Sequence, residues 1–333
     1  MTDLFLYIIG FIGCSLLIVF SGIRLSRYGD IIADLSGMGK AWFGLIMMAA
    51  VTSLPELFTG ISSVVIVDSP DIAVGDIMGS CAFNLLILAI LDYFVPGKPI
   101  SSVVTKGHIL AGFFGIILIT LSVIAMVFGE GFPVIGWFSS SSIVLVVLYL
   151  TSIRIIFQNE QRNRVHVHAA IQVNHPISLS TAIRRYVLFS LLVILGAIAL
   201  PYFADHLADR AGLSKSFVGT LLVAATTSLP ELVVSIAAVR MGSIDIAVGN
   251  LLGSNIFNML ILSIDDFLYK KGPLLDAVNP NHALSGLVTL IMTAVVGIGI
   301  IHSSPKKKFA LAIDALVLIA LYVSLITALY YLN

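Results

Sequence analysis

The chain has 333 residues, of which 59% are hydrophobic and 11% charged, and its mean hydropathy is +1.07. Soluble domains carry about 25% charged residues, so this composition excludes a water-faced globule and marks an integral membrane protein. The formal net charge of zero argues against nucleic acid as a partner.

A membrane-spanning helix needs about 20 mainly apolar residues. Ten segments meet that requirement, at about 4–23, 41–67, 71–91, 107–128, 132–156, 184–203, 216–239, 244–264, 282–303 and 309–331. The first opens MTDLFLYIIG, with an acid and no Lys or Arg ahead of its apolar run. That pattern predicts a retained span rather than a cleaved signal peptide. Breaks are expected at SRYGD, VDSPD, VPGKP, GEGFP, the polar run 157–183, RMGS, KKGP and SSPKKK. Cys14 and Cys81 lie in apolar runs and read as small core residues, not as a disulfide framework or metal site.

Residues 52–57 read TSLPEL, and so do residues 227–232. Each copy is followed by a second shared string, DIAVGDIMGSCAFNLLIL from Asp71 and DIAVGNLLGSNIFNMLIL from Asp245. At an offset of 174 these two agree at 12 of 18 positions, so the chain is two copies of one ancestral unit. The motifs fall in the second and third spans of each copy. Five spans per copy is an odd number, so the second copy enters the membrane from the opposite side. The expected fold is therefore all-α and membrane-integral. Ten transmembrane helices form two inverted five-helix repeats, 1–156 and 184–333, joined by a linker at 157–183, with broken helices at a midplane site.

Positive charge sets the orientation. With both termini outside, fourteen basic residues fall in cytoplasmic loops: Arg24, Arg27, Lys40, Lys98, Lys106, Arg154, Arg162, Arg164, Arg184, Arg185, Arg240 and Lys306–Lys308. Four fall outside: Arg210, Lys215, Lys270 and Lys271. By the positive-inside rule the linker is cytoplasmic, in a multi-pass cell-membrane protein. The linker is too short for a folded sensor domain.

An acid within the membrane is expensive and functional by default, and Glu56 and Glu231 stand at matching places in the two copies. Pro55 lacks an N–H, and its ring displaces the carbonyl four residues back. The carbonyls of Val51 and Thr52 thereby lose their regular partners, as Pro230 does to Thr226 and Thr227. A bound cation is one thing that satisfies a freed carbonyl in lipid. Ser53 and Ser228 add hydroxyls at the break, and Ala49 and Ala224 leave room for close approach. In the facing span Gly75, Gly79, Gly249 and Gly253 allow tight packing. Asp76, Ser80 and Asn84 share one helical face, as do Asn250, Ser254 and Asn258. All of these are oxygen donors, which suits hard cations and disfavours soft metals. Ca²⁺ takes about 6–8 oxygens in flexible geometry. Two bidentate glutamates and the carbonyls of Thr52 and Thr227 supply six. Two carboxylates balance one divalent ion or two or more monovalent ones, and a cavity that takes either load but not both is the physical basis of exchange.

TSLPE followed by G-[DN]-x-x-G-S, doubled across nearly the whole chain, resembles the sodium/calcium exchanger branch of the calcium/cation antiporter superfamily. The resemblance implies alternating access and four clustered cation sites, one for Ca²⁺ and the others for Na⁺. Carried over by motif position, Glu56, Glu231 and the Thr52 and Thr227 carbonyls hold Ca²⁺. Ala49, Ser53, Ser80, Ala224, Ser228 and Ser254 serve Na⁺ with the same glutamates, and Asn84 and Asn258 take the two central carboxamide positions. No cofactor is implied beyond the transported ions. Several such exchangers carry Asp where this chain has Asn258, which keeps H⁺ or K⁺ open as the counter-ion. Asp76, where the second copy has Asn250, reads as a supporting acid near the site rather than a ligand. A cation channel and an intramembrane hydrolase are the readings from other classes. A channel filter sits at an axis between subunits, and no water-activating metal set is present for a hydrolase. Asp71 and Asp245 are expected to cap their spans, the lysine run 306–308 to fix topology and meet anionic lipid, and Asp314 to lie apart from the site. Spans one and six, with Gly10, Gly13 and Gly196, are expected to slide over a rigid core of the motif-bearing spans.

Overall fold

In the computed structural model, which describes residues 2–36, 48–163, 177–302 and 306–332, the apolar segments form helices. They are α1 (Thr2–Ser36), α2 (Met48–Thr52), α3 (Leu54–Ser62), α4 (Pro70–Tyr93), α5 (His108–Val127), α6 (Ser140–Asn163) and α7 (Leu179–Ala211). The remainder are α8 (Lys215–Val218), α9 (Ala224–Thr227), α10 (Leu229–Arg240), α11 (Ile244–Leu268), α12 (Asn281–Ile301) and α13 (Ile313–Tyr331). π turns at Ser63–Val67 and Gly219–Val223 extend α3 and join α8 to α9. A two-residue ladder, Val134–Ile135 against Phe138–Ser139, precedes α6. Among the described residues eight helices are long and apolar enough to cross a membrane, and the bent pair Lys215–Thr227 and Leu229–Arg240 makes a ninth. The second expected segment is described only from Met48.

Several boundaries differ from the hydropathy reading. The helix α1 runs straight through SRYGD to Ser36. The run expected as a linker from 157 to 183 is helical to Asn163 and again from Leu179, and residues 164–176, with His166 and His168, lie outside the described residues. Hydropathy marks where a helix is in lipid. The helix itself continues as long as its own hydrogen bonds do, and charged residues do not stop it.

The two helices carrying the G-x-x-x-G-S strings form the core. Of the apolar window of α4 and of α11, 83% is buried, against 17–39% for the other single-helix spans. The glycines let α4 lie against the π turn of the other repeat. A Cβ at Gly75 would sit 3.0 Å from the Gly219 Cα, and one at Gly79 would sit 2.7 Å from the Ala224 Cβ. The long helices α1 and α7 pack on each other, with Phe203 filling the space at Gly10 and Ile18 lying against Gly196. Those two glycines therefore close the α1–α7 pair rather than face the core. α1 meets the core at Gly22, where a Cβ would sit 2.6 Å from the Pro230 Cγ, and at Ser15, whose hydroxyl lies 3.1 Å from that of Thr226. The outer faces of the pair, from Phe5 to Phe20 and from Val187 to Leu195, expose large apolar side chains, as a lipid-facing surface does.

Polar contacts tie one copy to the other in matched pairs. Asp71 accepts from Asn279 N at 2.7 Å and lies 3.0 Å from His282 Nε2. Asp245 accepts from Thr105 N at 2.8 Å and lies 3.0 Å from His108 Nε2. Each residue of the first set is its counterpart in the second shifted by 174. These acids start their helices but bond across the repeat boundary, so they are braces rather than caps. At the far helix ends Asp92 accepts from Ile100 N and Asp266 from Leu274 N, both at 2.7 Å, again at the same offset. The Lys307 side chain is 5% exposed, pairs with Asp92 at 3.0 Å and donates to the carbonyls of Asp92 and Val95. The middle lysine of the 306–308 run is thus a buried cap on the C-terminus of α4, not a lipid contact. Asp314 lies in the first turn of α13, its carboxylate beside Gly299.

Removing a buried hydrogen-bond partner costs about 1–3 kcal/mol. Both His282→Ala and His108→Ala are expected to lower the thermal midpoint of detergent-solubilised protein. The larger loss is expected at His282, because the Asp71 side chain it answers is 28% exposed against 48% for Asp245. Equal, negligible shifts in scanning fluorimetry would remove the braces from the account.

Candidate cation-binding site

Both TSLPE strings break their helices at the serine. Ser53 has φ −89° and ψ 13°, Ser228 has φ −90° and ψ 3°, and the chain bends by 43° between Thr227 and Leu229. Proline follows within the first turn of α3 and of α10, where a missing N–H leaves nothing unpaired. Glu56 and Glu231 come next, in the same first turns, where the positive end of the helix dipole favours a carboxylate.

The serines stand at N-cap positions, yet neither hydroxyl caps its own helix. Each crosses to the other repeat. The Ser53 hydroxyl donates to Glu231 Oε1 at 3.3 Å, and the Ser228 hydroxyl donates to Glu56 Oε1 at 3.0 Å. The threonines cross in the same way. Thr227 donates to Asp76 Oδ1 at 2.8 Å, and Thr52 donates to Asn250 Oδ1 at 3.4 Å. Ser80 joins the network, donating to Glu56 Oε1 at 3.4 Å and accepting from Ser228 at 2.9 Å. A carboxamide layer lies beside it. Asn84 donates to Asn255 Oδ1 at 2.9 Å, Asn255 donates to the Cys81 carbonyl at 3.1 Å, and Asn258 reaches Cys81 Sγ at 3.7 Å. Cys81 and Asn255 are counterparts at the 174 offset, so the two helices meet at their own pseudo-equivalent residues.

Thr52, Ser53, Glu56, Asp76, Ser80, Asn84, Ala224, Thr227, Ser228, Glu231, Ser254 and Asn258 are all at most 1% exposed, and Ala49 is 3% exposed. Buried polar atoms are nearly always bonded, but here a specific set is not. Glu56 Oε2, Glu231 Oε2, Asp76 Oδ2, Asn84 Oδ1, Asn258 Oδ1 and Ser254 Oγ have no hydrogen-bond partner. One oxygen of each glutamate is held by a serine and the other is left over. Such a set of hard, uncommitted oxygens fits an oxygen-coordinated cation. Among the described residues no three His, Cys, Asp or Glu side chains gather into a metal cluster, so neutral oxygens must supply the rest of any shell. The carbonyls of Ala49 and Ala224 each already accept two bonds, from the serine N–H and the threonine hydroxyl.

Comparison with known proteins bears on this geometry. A family model described as sodium/calcium exchanger protein matches residues 6–158 and 184–333. The chain belongs to the sodium/calcium exchanger protein family. Inner membrane protein YrbG of Escherichia coli (strain K12) is 27% identical over 253 residues, which cover 74% of this chain and 75% of that protein. The sodium/calcium exchanger MaX1 of Methanosarcina acetivorans is 42% identical over 88 residues, 25% of each chain. Among solved structures, the sodium-calcium exchanger NCX_Mj soaked with 10 mM Na⁺ and zero Ca²⁺ aligns over 98% of this chain and 99% of its own, with TM-score 0.63 and 22% identity. The H⁺/Ca²⁺ exchanger CAX aligns over 98% and 86%, with TM-score 0.70 and 13% identity. At those identities the likeness shows a shared fold. The exchanger-family chain is thus a multi-pass, all-helical membrane protein whose family points to transport rather than catalysis.

Sequence reasoning on the motifs found the glutamates, serines and threonines. It missed the cross-repeat braces of His108 and His282 and the buried Asp92, Asp265 and Asp266. The signal for all but Asp265 was available, because the 174-residue offset carries past the motif through Asp92/Asp266 to His108/His282.

If the crossed pairs are coupled as drawn, a double-mutant cycle of Ser228→Ala with Glu56→Gln gives a coupling of about 0.5–3 kcal/mol. Ser228→Ala with Glu231→Gln gives much less. Thermal midpoints of the purified exchanger read both, and equal couplings would refute the crossed assignment.

Proposed function

We propose that this chain is a secondary antiporter that exports Ca²⁺ in exchange for Na⁺ by alternating access. The observation that carries the reading is the reciprocal holding of Glu56 by Ser228 and Glu231 by Ser53, each carboxylate keeping one oxygen free within a fully buried polar layer. The relatives named for sodium/calcium exchange support the ion pair chosen.

On this reading Glu56 and Glu231 grip one Ca²⁺ together with the carbonyls of Thr52 and Thr227. These two carbonyls lie at the helix breaks, one residue before Ser53 and Ser228. Na⁺ is taken by Ser53, Ser80, Ser228 and Ser254 with the same glutamates. Ala49 and Ala224 join only when the threonine hydroxyls turn off their carbonyls. Asn84 and Asn258 present amide oxygens at the centre. Asp76, tied to Thr227, supports the site without ligating. A site with two bare carboxylates resists passage through low dielectric. One divalent ion or several monovalent ions neutralise it, so the transition between faces goes only with a load.

The proposed architecture is ten spans in two inverted five-helix halves, 1–156 and 184–333, with 157–183 between them. The matched contacts at offset 174 support a twofold relation between the halves. In TSLPEL the offset is 175. The first copy has one more residue between Leu57 and Asp71, the stretch that holds the π turn Ser63–Val67, and a π turn takes up an inserted residue. The fourteen-to-four split of basic residues supports termini outside and the linker in the cytoplasm.

The alternative load is H⁺ or K⁺ in place of Na⁺, because Asn258 stands where several such exchangers place an acid. In proteoliposomes, ⁴⁵Ca²⁺ uptake driven by a Na⁺ gradient is expected, with loss of at least tenfold in Glu56→Gln and in Glu231→Gln. Uptake driven by a pH or K⁺ gradient alone would replace Na⁺ as the counter-ion, and full activity in both glutamine variants would remove the site.

A further inference from the structure

Asp265 is used by none of this. It lies near the end of α11, is 0% exposed, and neither of its carboxylate oxygens has a hydrogen-bond partner. Its neighbour Asp266 shows the contrast, being held by Leu274 N, Ser139 N and the Ser142 hydroxyl at 2.7, 3.0 and 2.5 Å. Asp265 instead fills a notch in α3. A Cβ at Gly60 would lie 2.8 Å from both its Cγ and its Oδ1. Gly60 is one helical turn beyond Glu56, so the side chain stands beside the site helix on the side away from the break.

The repeat makes this arrangement specific. In the second copy the counterpart of Gly60 is Ser235, and in the first copy the counterpart of Asp265 is Leu91. One half has an acid opposite a glycine, and the other has leucine and serine at those positions. Notch and acid occur together and only once.

The charged and titratable groups around Asp265 are all acidic or already paired. They are Asp266 on its own helix and Asp76 of α4 within electrostatic reach, with Glu56 one turn along α3 from Gly60. No described Lys, Arg or His bonds to it. An ionised carboxylate without a partner is not sustained in such a place. A metal ion needs several oxygens in its shell, whereas a proton needs one. We propose that Asp265 is a proton-binding site, distinct from the cation site, that holds its proton in this packed state. It releases that proton when α7, which Thr59 and Ser62 hold against α3, moves off and water reaches Gly60. On the orientation proposed above, this is the outer side.

The proton is read directly by infrared difference spectroscopy of purified protein at neutral pH, which needs no transport. Wild type minus Asp265→Asn is expected to contain one carboxylic-acid C=O band that exchanges slowly in D₂O. No such band would overturn the proposal. So would carboxylate bands that shift on adding Na⁺ or K⁺, since these mean a metal ion is held there instead. Gly60→Ser gives a second variant should the first not fold. Its hydroxyl beside Asp265 is expected to move the same band to lower frequency, and an unmoved band overturns the placement. In proteoliposomes, Na⁺-driven Ca²⁺ flux plotted against outer pH is expected to lose a one-proton component in Asp265→Asn while flux itself persists. An unchanged profile overturns the release step. An inactive wild type bears on the exchange reading alone and leaves the infrared test standing.

Discussion

A carboxylate taken out of water must be answered by a proton, a partner or an ion, and the crossing of serine hydroxyls onto the glutamates of the opposite repeat is how this fold answers two of them. Every other feature of the core serves that crossing. The proline-broken helices bring Glu56 and Glu231 to helix N-termini, where the dipole favours them. The glycines of α4 let it approach the π turn at 219–223 closely enough for Thr227 and Ser228 to reach Asp76, Ser80 and Glu56. The braces at Asp71–His282 and Asp245–His108 fix the two halves against each other beyond the site. With one oxygen of each glutamate held and the other uncommitted, the site is positioned without being satisfied. On the proposed reading, preorganisation of this kind would let an ion bind without first ordering its ligands.

The motifs were legible because their chemistry is local. A proline three residues after a threonine and just before a glutamate breaks a helix and frees carbonyls wherever it sits, and doubling it signals two facing halves. Spacing of four residues put Asp76 and Ser80 on one face, and α4 keeps them there. The helix ends were not legible, as α1 shows. Its SRYGD segment is polar, but polarity ends a membrane crossing, not a hydrogen-bonded helix. Lys307 was misread for a related reason. A lysine in a basic run looks solvated until the fold supplies the carbonyls of Asp92 and Val95 for it to cap. The histidine braces and Asp265 depend on which helix lies opposite, information held only in tertiary contacts.

The α1–α7 pair illustrates how glycine position separates two kinds of interface. Gly10 and Gly196 admit Phe203 and Ile18, which lock the two helices into one unit with bulky side chains in complementary gaps. Further along α1, Gly22 meets Pro230, a flat ring that offers little to interlock. Two hydroxyls, Thr59 and Ser62, reach carbonyls of α7 at 3.4 and 2.6 Å. The pair is thus locked within itself, and it also packs along α3 and meets the site helices, where the Ser15 hydroxyl lies 3.1 Å from that of Thr226. On the alternating-access reading proposed above, these are the contacts that would change as the pair moves.

On the alternating-access reading proposed above, two inverted halves of equal sequence would give inward and outward states of equal energy, since each is the other turned over. The differences between the halves are therefore what would bias the equilibrium, and several of them lie beside the site. Asp76 stands against Asn250, Asp265 against Leu91, Gly60 against Ser235, and the extra residue of the first π turn has no match in the second copy. These four differences lie on α3, α4, α10, α11 and the turn that follows α3. A group that is neutral and dry when packed but ionises when wetted stabilises the state that wets it, by an amount that grows with pH. An acid present at one end of the path and replaced by leucine at the other therefore acts on one state only. On that reading symmetry would supply the two states, and the unmatched acid would set which of them the medium favours.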